Sequence, residues 1–226
     1  MINFNFLRSE KMKQTEIWKR LYEKKNRYGT EPCQFAIMIL EWIKKLKGNK
    51  ILELGCGEGR DSIFFAKNRY EIFSLDCSEK AIKSFKENMV KNNVQKLVHP
   101  VIYDISKPLK FDDKTFDIVF AHLSLHYFDD KTTTSIFNEI YRVLKIGGLL
   151  FVKVKSIDDP LYGKGKKVDE DMFELGHTRH FFSKEYLINK ARRFKILSLK
   201  QVKEKGNYSV KEISKESVFL ELICKK

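Results

Sequence analysis

The run Ile51-Leu-Glu-Leu-Gly-Cys-Gly-Glu-Gly59 constrains this chain more than any other stretch. Four residues with an apolar majority read as a short buried strand. Glycines at 55, 57 and 59 then open a turn, and Asp61–Asn68 follows with a helical pattern. Glycine permits positive φ and lets a ligand approach the backbone. A helix N-terminus behind such a turn offers free N–H groups to an anion. A strand, a glycine turn and a helix in that order belong in an α/β sheet, with the turn at its carboxyl edge.

The rest of the chain keeps the alternation. Glu71–Leu75 reads as a strand, and Ser78–Asn92 as a helix with Ser78 at its N-cap. Leu97–Tyr103 and Phe116–Ala121 read as strands, Lys131–Leu144 as a helix, and Leu149–Lys155 as a strand. This order predicts parallel pairing, right-handed crossovers and helices on both faces. Near the end, Ser183 caps a helix running to about Arg192. Phe194–Lys203 and Ser217–Cys224 then follow without an intervening helix, around a Gly206-Asn207 turn, which predicts an antiparallel hairpin. The fold class expected is α/β: a doubly wound, seven-stranded, mostly parallel sheet with an antiparallel last strand.

Two segments stand outside this pattern. Residues 9–28 are helix-like, with Ile17, Leu21 and Trp18 on one face, and a turn at Tyr28–Pro32 breaks them. Pro32 suits the first turn of a second helix, Cys33–Leu46, ended by Gly48. Residues 1–49 therefore form an N-terminal helical cap within the same domain as 50–226. The second segment is the polar insertion 156–182. It reads as a solvated loop or a substrate lid beside a strand end.

Composition narrows the setting. No stretch approaches the roughly 18 apolar residues of a membrane span, and the first residues do not read as a signal peptide. Cys33, Cys56, Cys77 and Cys224 are widely spaced, with no CxxC pair. Neither a disulfide framework nor a structural zinc site is expected, and a reducing, cytoplasmic setting fits. Net charge is +14, unevenly placed: residues 1–50 and 151–226 each carry +7, and 51–150 balance at zero. Basic flanks suit RNA or an anionic small molecule, and equally a lysine-rich solvated surface.

The chemistry lies in the order of acids around the glycine turn. A dinucleotide fingerprint, G-x-G-x-x-G, requires glycine at position 60, where this chain has Arg60. Glu53 is acidic where a pyrophosphate would sit nearby. Asp76 ends the second strand, where an acid can accept both ribose hydroxyls, although a turn-capping acid is the plain alternative. Asp104 follows the third strand, in reach of an exocyclic amine. The set describes a nucleoside with a zwitterionic tail and no phosphates.

E-x-G-C-G-x-G, an acid after the second strand, Asp104-Ile105 after the third, and E-I-x-R-V-L-K-x-G-G at 139–148 resemble the class I S-adenosylmethionine-dependent methyltransferases. The likeness is strongest over residues 50–155. Ile146 departs from the proline usual before the last glycine pair. The resemblance implies S-adenosylmethionine as cofactor, S-adenosylhomocysteine as product, and no metal. It implies that Glu53, Gly55, Cys56 and Gly57 surround the methionine part, with His122 lining the same side. Asp76 would hold the ribose, Cys77, Asp104 and Ile105 the adenine, and Tyr28 would close the cap over the cofactor.

The candidate acceptor stretch is Ala121–Tyr127, after the fourth strand. It is not N/D-P-P-Y and contains no Pro-Cys nucleophile, which disfavours amino methylation of DNA adenine and cytosine C5 chemistry. His126 is the candidate base, or a packed histidine. Tyr127, Tyr162, His177, Arg179 and His180 are candidate acceptor contacts. The pairs His122/His126 and His177/His180 have spacings a helix could present to a metal, but no third ligand accompanies either. Trp18 and Tyr22 read as core. The expected function is methyl transfer to a small-molecule acceptor. The alternatives are an RNA or ribosome methyltransferase, a non-catalytic cofactor-binding protein, and a nicotinamide oxidoreductase.

Overall fold

A computed structural model describes Trp18, Tyr22 and residues 28–205 and 216–226. Most of the helix expected over 9–28, and the Gly206-Asn207 turn, lie outside the described residues.

The central strand is β1 (Lys50–Leu54). It pairs in parallel with β2 (Glu71–Asp76) on one side and β4 (Phe116–His122) on the other. β3 (Val98–Ile102) lies outside β2, and β5 (Leu144–Lys155) outside β4, both parallel. The sheet ends in the hairpin β9 (Lys195–Lys205) and β10 (Glu216–Lys225). β10 inserts between β5 and β9 and runs antiparallel to both, giving the order β3-β2-β1-β4-β5-β10-β9. The seven-stranded, mostly parallel sheet with an antiparallel last strand is the architecture expected.

Apolar runs in the strands feed two separate cores because neighbouring side chains point to opposite faces. On one face, Ile51, Ile118, Phe120 and Phe151 pack with α1 (Gln34–Ile43), α2 (Arg60–Lys67) and α3 (Glu79–Lys91). On the other, Leu52, Val119, Leu150 and Val152 pack with α4 (Asp130–Val143) and α5 (Lys184–Lys190). Phe35, Ile39 and Ile43 of α1 are buried, at roughly 1.5–3 kcal/mol per large side chain. That helix is thus part of the sheet's own core. It starts one residue later than expected: Cys33 is its N-cap, with Sγ accepting from Ala36 N at 3.3 Å, and Pro32 precedes the cap. Ser78 caps α3, accepting from Ala81 N, as its sequence position predicts.

The last part of the motif, residues 139–148, is structural. Arg142 donates to Glu139, Asp113 and the carbonyls of Leu109 and Phe111, and Glu139 accepts from Leu109 N at 2.7 Å. These bonds fasten the β3–β4 connection to α4. Ile146 is exposed on β5, so its departure from proline disturbs no core packing. Its strand, β5, begins at Leu144 rather than Leu149, because pairing of Leu144 with Phe116 carries the ladder past an irregularity.

The insertion 156–182 is neither a solvated loop nor structureless. It forms an antiparallel meander of β6 (Lys166–Asp169), β7 (Met172–Leu175) and β8 (His177–His180). Its ends are tied by a bridge between Ser156 and Phe182. β8 packs on the short 3-10 turn Leu125–Tyr127 that follows β4. No described helix is long and apolar enough to cross a membrane.

Candidate functional site

The carboxyl ends of β1, β2 and β4 meet around the glycine turn. Gly55 N and Cys56 N both donate to Leu75 O, at 2.8 and 3.0 Å, which folds the turn over the end of β2. Gly55 has φ +79°, and a Cβ there would stand 2.4 Å from Ser124 Cβ. Only glycine lets the turn lie against the loop after β4. Asp76 fixes the far side of the turn: Oδ2 accepts from Gly57 N at 2.9 Å and Oδ1 from Ser78 N at 2.8 Å. Burial pushes its carboxyl up, and those two N–H groups act against the shift.

Glu53 lies deeper, 3% exposed, and accepts from Ser62 Oγ. Burial pushes its carboxyl well above the usual range, with the neighbouring Asp61 charge adding to it. Asp61 in turn accepts from Cys33 N at 2.7 Å and stands 3.7 Å from Arg60 Nε. His122 Nδ1 is 3.9 Å from Asp61 Oδ2, and its ring is sandwiched near Phe35 and Phe120. Burial, then the charges of Lys153 and Arg60, hold His122 well below the usual histidine range, so it is neutral. Cys33, Asp61 and His122 bring ligand-type atoms within 4.8 Å of one another. Two of the three are engaged in the fold: the thiol caps α1, and Asp61 takes the Cys33 amide. Neither histidine pair suggested by sequence spacing forms such a group among the described residues.

Two cavities open here. The larger, about 580 Å³, is lined by Asp76, Cys77, Tyr103, Asp104, Ile105, Ser106, Ser124, Phe128, Asp129 and Thr132. The smaller, about 130 Å³, is lined by Tyr28, Gly29, Glu53, Cys56, Gly57, Glu58, Arg60, Asp61 and His122. Trp18, Tyr22, Gly55, Leu123 and Tyr127 belong to both walls. Among the described residues, no lysine or arginine lines the larger cavity, whereas three aspartates do. Trp18 meets Tyr127 edge-on at 4.6 Å, and Tyr22 meets Tyr28 at 6.2 Å. Burial pushes both the Tyr22 and Tyr127 phenols up.

Leu123 reaches this wall through a strained backbone, with φ +54° and its N–H donating to Lys153 O at 2.9 Å. A non-glycine residue in this region costs on the order of 1–2 kcal/mol. The strain turns the chain from β4 into the Leu125–Tyr127 turn. Ser124 Oγ and His126 Nδ1 are buried there without hydrogen-bond partners among the described residues.

All ten residues expected around the cofactor line one cavity or the other: Tyr28, Glu53, Gly55, Cys56, Gly57 and His122 the smaller, and Gly55, Asp76, Cys77, Asp104 and Ile105 the larger. The acceptor set divides. Tyr127 forms a shared wall, and His177 packs on it, with ring centroids 5.5 Å from Tyr127 and 5.7 Å from Trp18. Arg179 lies behind His177, its Nη2 3.5 Å from His177 Nδ1. Three more of the candidates line neither cavity. Tyr162 sits on the meander, donating to Asp171 and packing on Phe173 and Phe181. His180 is packed against Phe182 and Tyr186, with Nδ1 3.0 Å from Phe128 O. His126 is 2% exposed and stands behind Tyr127, not on a cavity wall. Trp18 and Tyr22, read from sequence as core, line both cavities instead. Leu123 and Ser124 fall within the candidate stretch Ala121–Tyr127, whereas Arg60 was missed as a wall residue, because nothing local in sequence marks the far wall of a cavity.

Residues 51–148 match the family described as "Methyltransferase domain". The chain is 30% identical over 116 residues to phosphoethanolamine N-methyltransferase 1 of Triticum aestivum, covering 51% of this chain and 23% of that protein. It is 29% identical over 116 residues to an uncharacterized methyltransferase of Synechocystis, covering 51% of each. The chain thus spans between about a quarter and a half of these relatives. In fold it is similar to an S-adenosylmethionine-dependent methyltransferase of Methanosarcina mazei, with a TM-score of 0.67 and 20% identity, covering 83% of this chain and 96% of that one.

Proposed function

We propose that the chain is a class I S-adenosylmethionine-dependent methyltransferase, a reading supported by the match of residues 51–148 to the methyltransferase domain family, and that it methylates a small-molecule acceptor held against the aromatic wall of Trp18, Tyr28 and Tyr127. One observation carries this reading: a large acid-lined cavity and a small one meet at a shared aromatic partition.

The residues present fit the cofactor. A cavity with Asp76, Asp104 and Asp129 and no basic side chain repels phosphates and favours a cationic nucleoside. In the proposal Asp76 accepts from the ribose hydroxyls, while Asp104, Ile105 and Cys77 hold the adenine. Glu53, Gly55, Cys56, Gly57 and His122 surround the methionine part, and Tyr28 covers it. When bound, S-adenosylmethionine supplies a methyl group already activated on a sulfonium. What remains for the protein is alignment and exclusion of water. Holding two reactants in attack geometry contributes roughly 7–11 kcal/mol. Tyr127, Trp18 and Tyr22 do this from the shared wall. His126 acts through Tyr127, against which it packs with ring centroids 4.2 Å apart. We also read residues 1–49 and 50–226 as one domain, with 156–182 as the acceptor-side wall.

The wheat relative is named for a small acceptor, which supports the substrate class. The test is methyl transfer from labelled S-adenosylmethionine to a panel of small amines, phenols and carboxylates, with total RNA in parallel. Transfer to small molecules is expected. Transfer to RNA alone would overturn the acceptor class. Thermal stabilisation by NAD and not by S-adenosylmethionine would overturn the cofactor.

A further inference from the structure

The two cavities share only part of their walls. Trp18, Tyr22, Gly55, Leu123 and Tyr127 belong to both, and among the described residues no carboxylate, lysine or arginine does. Asp76 and Asp104 stand on the larger side, Glu53 and Asp61 on the smaller. The neck between the cavities is therefore aromatic, with acids set back on either hand. Trp18 and Tyr127 have ring centroids 4.6 Å apart and planes at 74°. Tyr22 stands 6.3 Å from Trp18 at 36°, and Tyr28 stands 6.2 Å from Tyr22 at 71°. Rings at such angles turn their electron-rich faces in several directions around one space. Burial favours the uncharged phenols of Tyr22 and Tyr127.

A cofactor with its nucleoside in the larger cavity and its methionine tail in the smaller must place its sulfur in the neck, because the sulfur joins those two parts. We infer that Trp18, Tyr22 and Tyr127 form an aromatic box that holds the sulfonium by its charge and so distinguishes the methyl donor from its demethylated product. This rests on the methyltransferase reading. Aromatic faces attract a cation lodged over them, whereas a neutral group of similar shape gains only the packing contact. Loss of the methyl leaves a neutral thioether, so the hold of the box ends with the transfer and product release is eased. The three rings are thus specificity residues for the state of the cofactor.

The experiment measures calorimetric Kd values of the full chain for S-adenosylmethionine, S-adenosylhomocysteine and the tertiary-amine analogue in which an N–CH3 group replaces the S–CH3 sulfonium. The analogue keeps its methyl group while rising pH removes its charge, which separates charge from bulk. The wild type is expected to bind S-adenosylmethionine at least about tenfold tighter than S-adenosylhomocysteine. The analogue's affinity, relative to the product's, is expected to fall as its amine loses the proton. Tyr127→Leu and Trp18→Leu are each expected to cut the preference for the methyl donor about threefold or more. Tyr127→Phe, which keeps the ring face, is expected to retain it. Product affinity in each variant reports an intact site. If the wild type binds neither donor nor product, the methyltransferase reading falls. If it binds the two equally, if the analogue tracks the product at every pH, or if both leucine variants keep the full preference, the aromatic-box inference falls alone. Where a leucine variant loses both ligands with its fold, the pH dependence of the analogue on the wild type decides.

Discussion

Asp76 offers the sharpest separation of structure from function, because its two oxygens already have backbone partners. Asp76→Ala would strip Gly57 N and Ser78 N of their acceptors. Buried donors left unsatisfied cost about 1–3 kcal/mol each, so stability should fall by roughly 2–6 kcal/mol. A domain in the middle of the ordinary range of about 5–15 kcal/mol survives that loss. Losing a charged acceptor for the ribose should cost a further 1.5–3 kcal/mol or so in binding, about tenfold to a hundredfold in Kd. Asp76→Asn keeps one carbonyl oxygen and the side chain's shape. It should recover much of the stability and little of the affinity, since an amide cannot satisfy both N–H groups and the hydroxyls. Urea unfolding measures the first quantity and calorimetry with S-adenosylmethionine, well below the melting midpoint, the second. A Kd within roughly threefold of wild type in Asp76→Ala, alongside a lowered urea midpoint, would reduce Asp76 to a loop tie and refute its place in the site.

Three further outcomes follow from particular side chains. Gly55→Ala puts a Cβ 2.4 Å from Ser124 Cβ at φ +79°, whereas Gly163→Ala, at φ +74°, meets nothing within 4 Å. Both should cost about 1–2 kcal/mol of backbone strain by urea unfolding, but only Gly55→Ala should also weaken S-adenosylmethionine binding, and equal affinities would remove the turn from the site. Burial raises the Glu53 carboxyl, so this group favours folding at low pH, and that contribution is lost as pH rises through the raised value. A bound ammonium favours its ionised form, so cofactor binding should release protons; a calorimetric enthalpy independent of buffer ionisation, or unchanged in Glu53→Gln, would contradict this. Burial lowers Lys155 to about 8 despite Asp159, so its burden on stability is full below that pH and eases between there and the unfolded value of about 10.4. Carbon NMR of lysine Cε should show one titration near 8 that disappears in Lys155→Met; all lysines titrating near about 10.4 would refute it.

The parts of this molecule that were legible in sequence are those set by local rules. β1, the glycine turn and α2 follow one another without interruption, and each has its own signal: an apolar run, positive-φ residues, a helical period. Asp76 and Asp104 were legible for a related reason. Each stands at the end of a parallel strand, and all parallel strands end on the same side, so chain position alone assigns them to one edge. The meander was not legible because its strands are four residues long and mostly half-exposed, with too few alternations to show a period of two. Polar residues such as Lys166, Lys167 and Asp169 then read as loop.

Side-chain direction was the other loss. Sequence placed His126, His180 and Tyr162 by their chemistry, but chemistry does not say which way a ring faces. The inverted backbone at Leu123 decides that for His126, by starting the turn that sends Tyr127 to the cavity and His126 behind it. Likewise Trp18 and Tyr22 carry the pattern of core aromatics, and their surroundings are indeed aromatic. They are wall residues because the residues they pack against, Tyr127 and Tyr28, are themselves at the site.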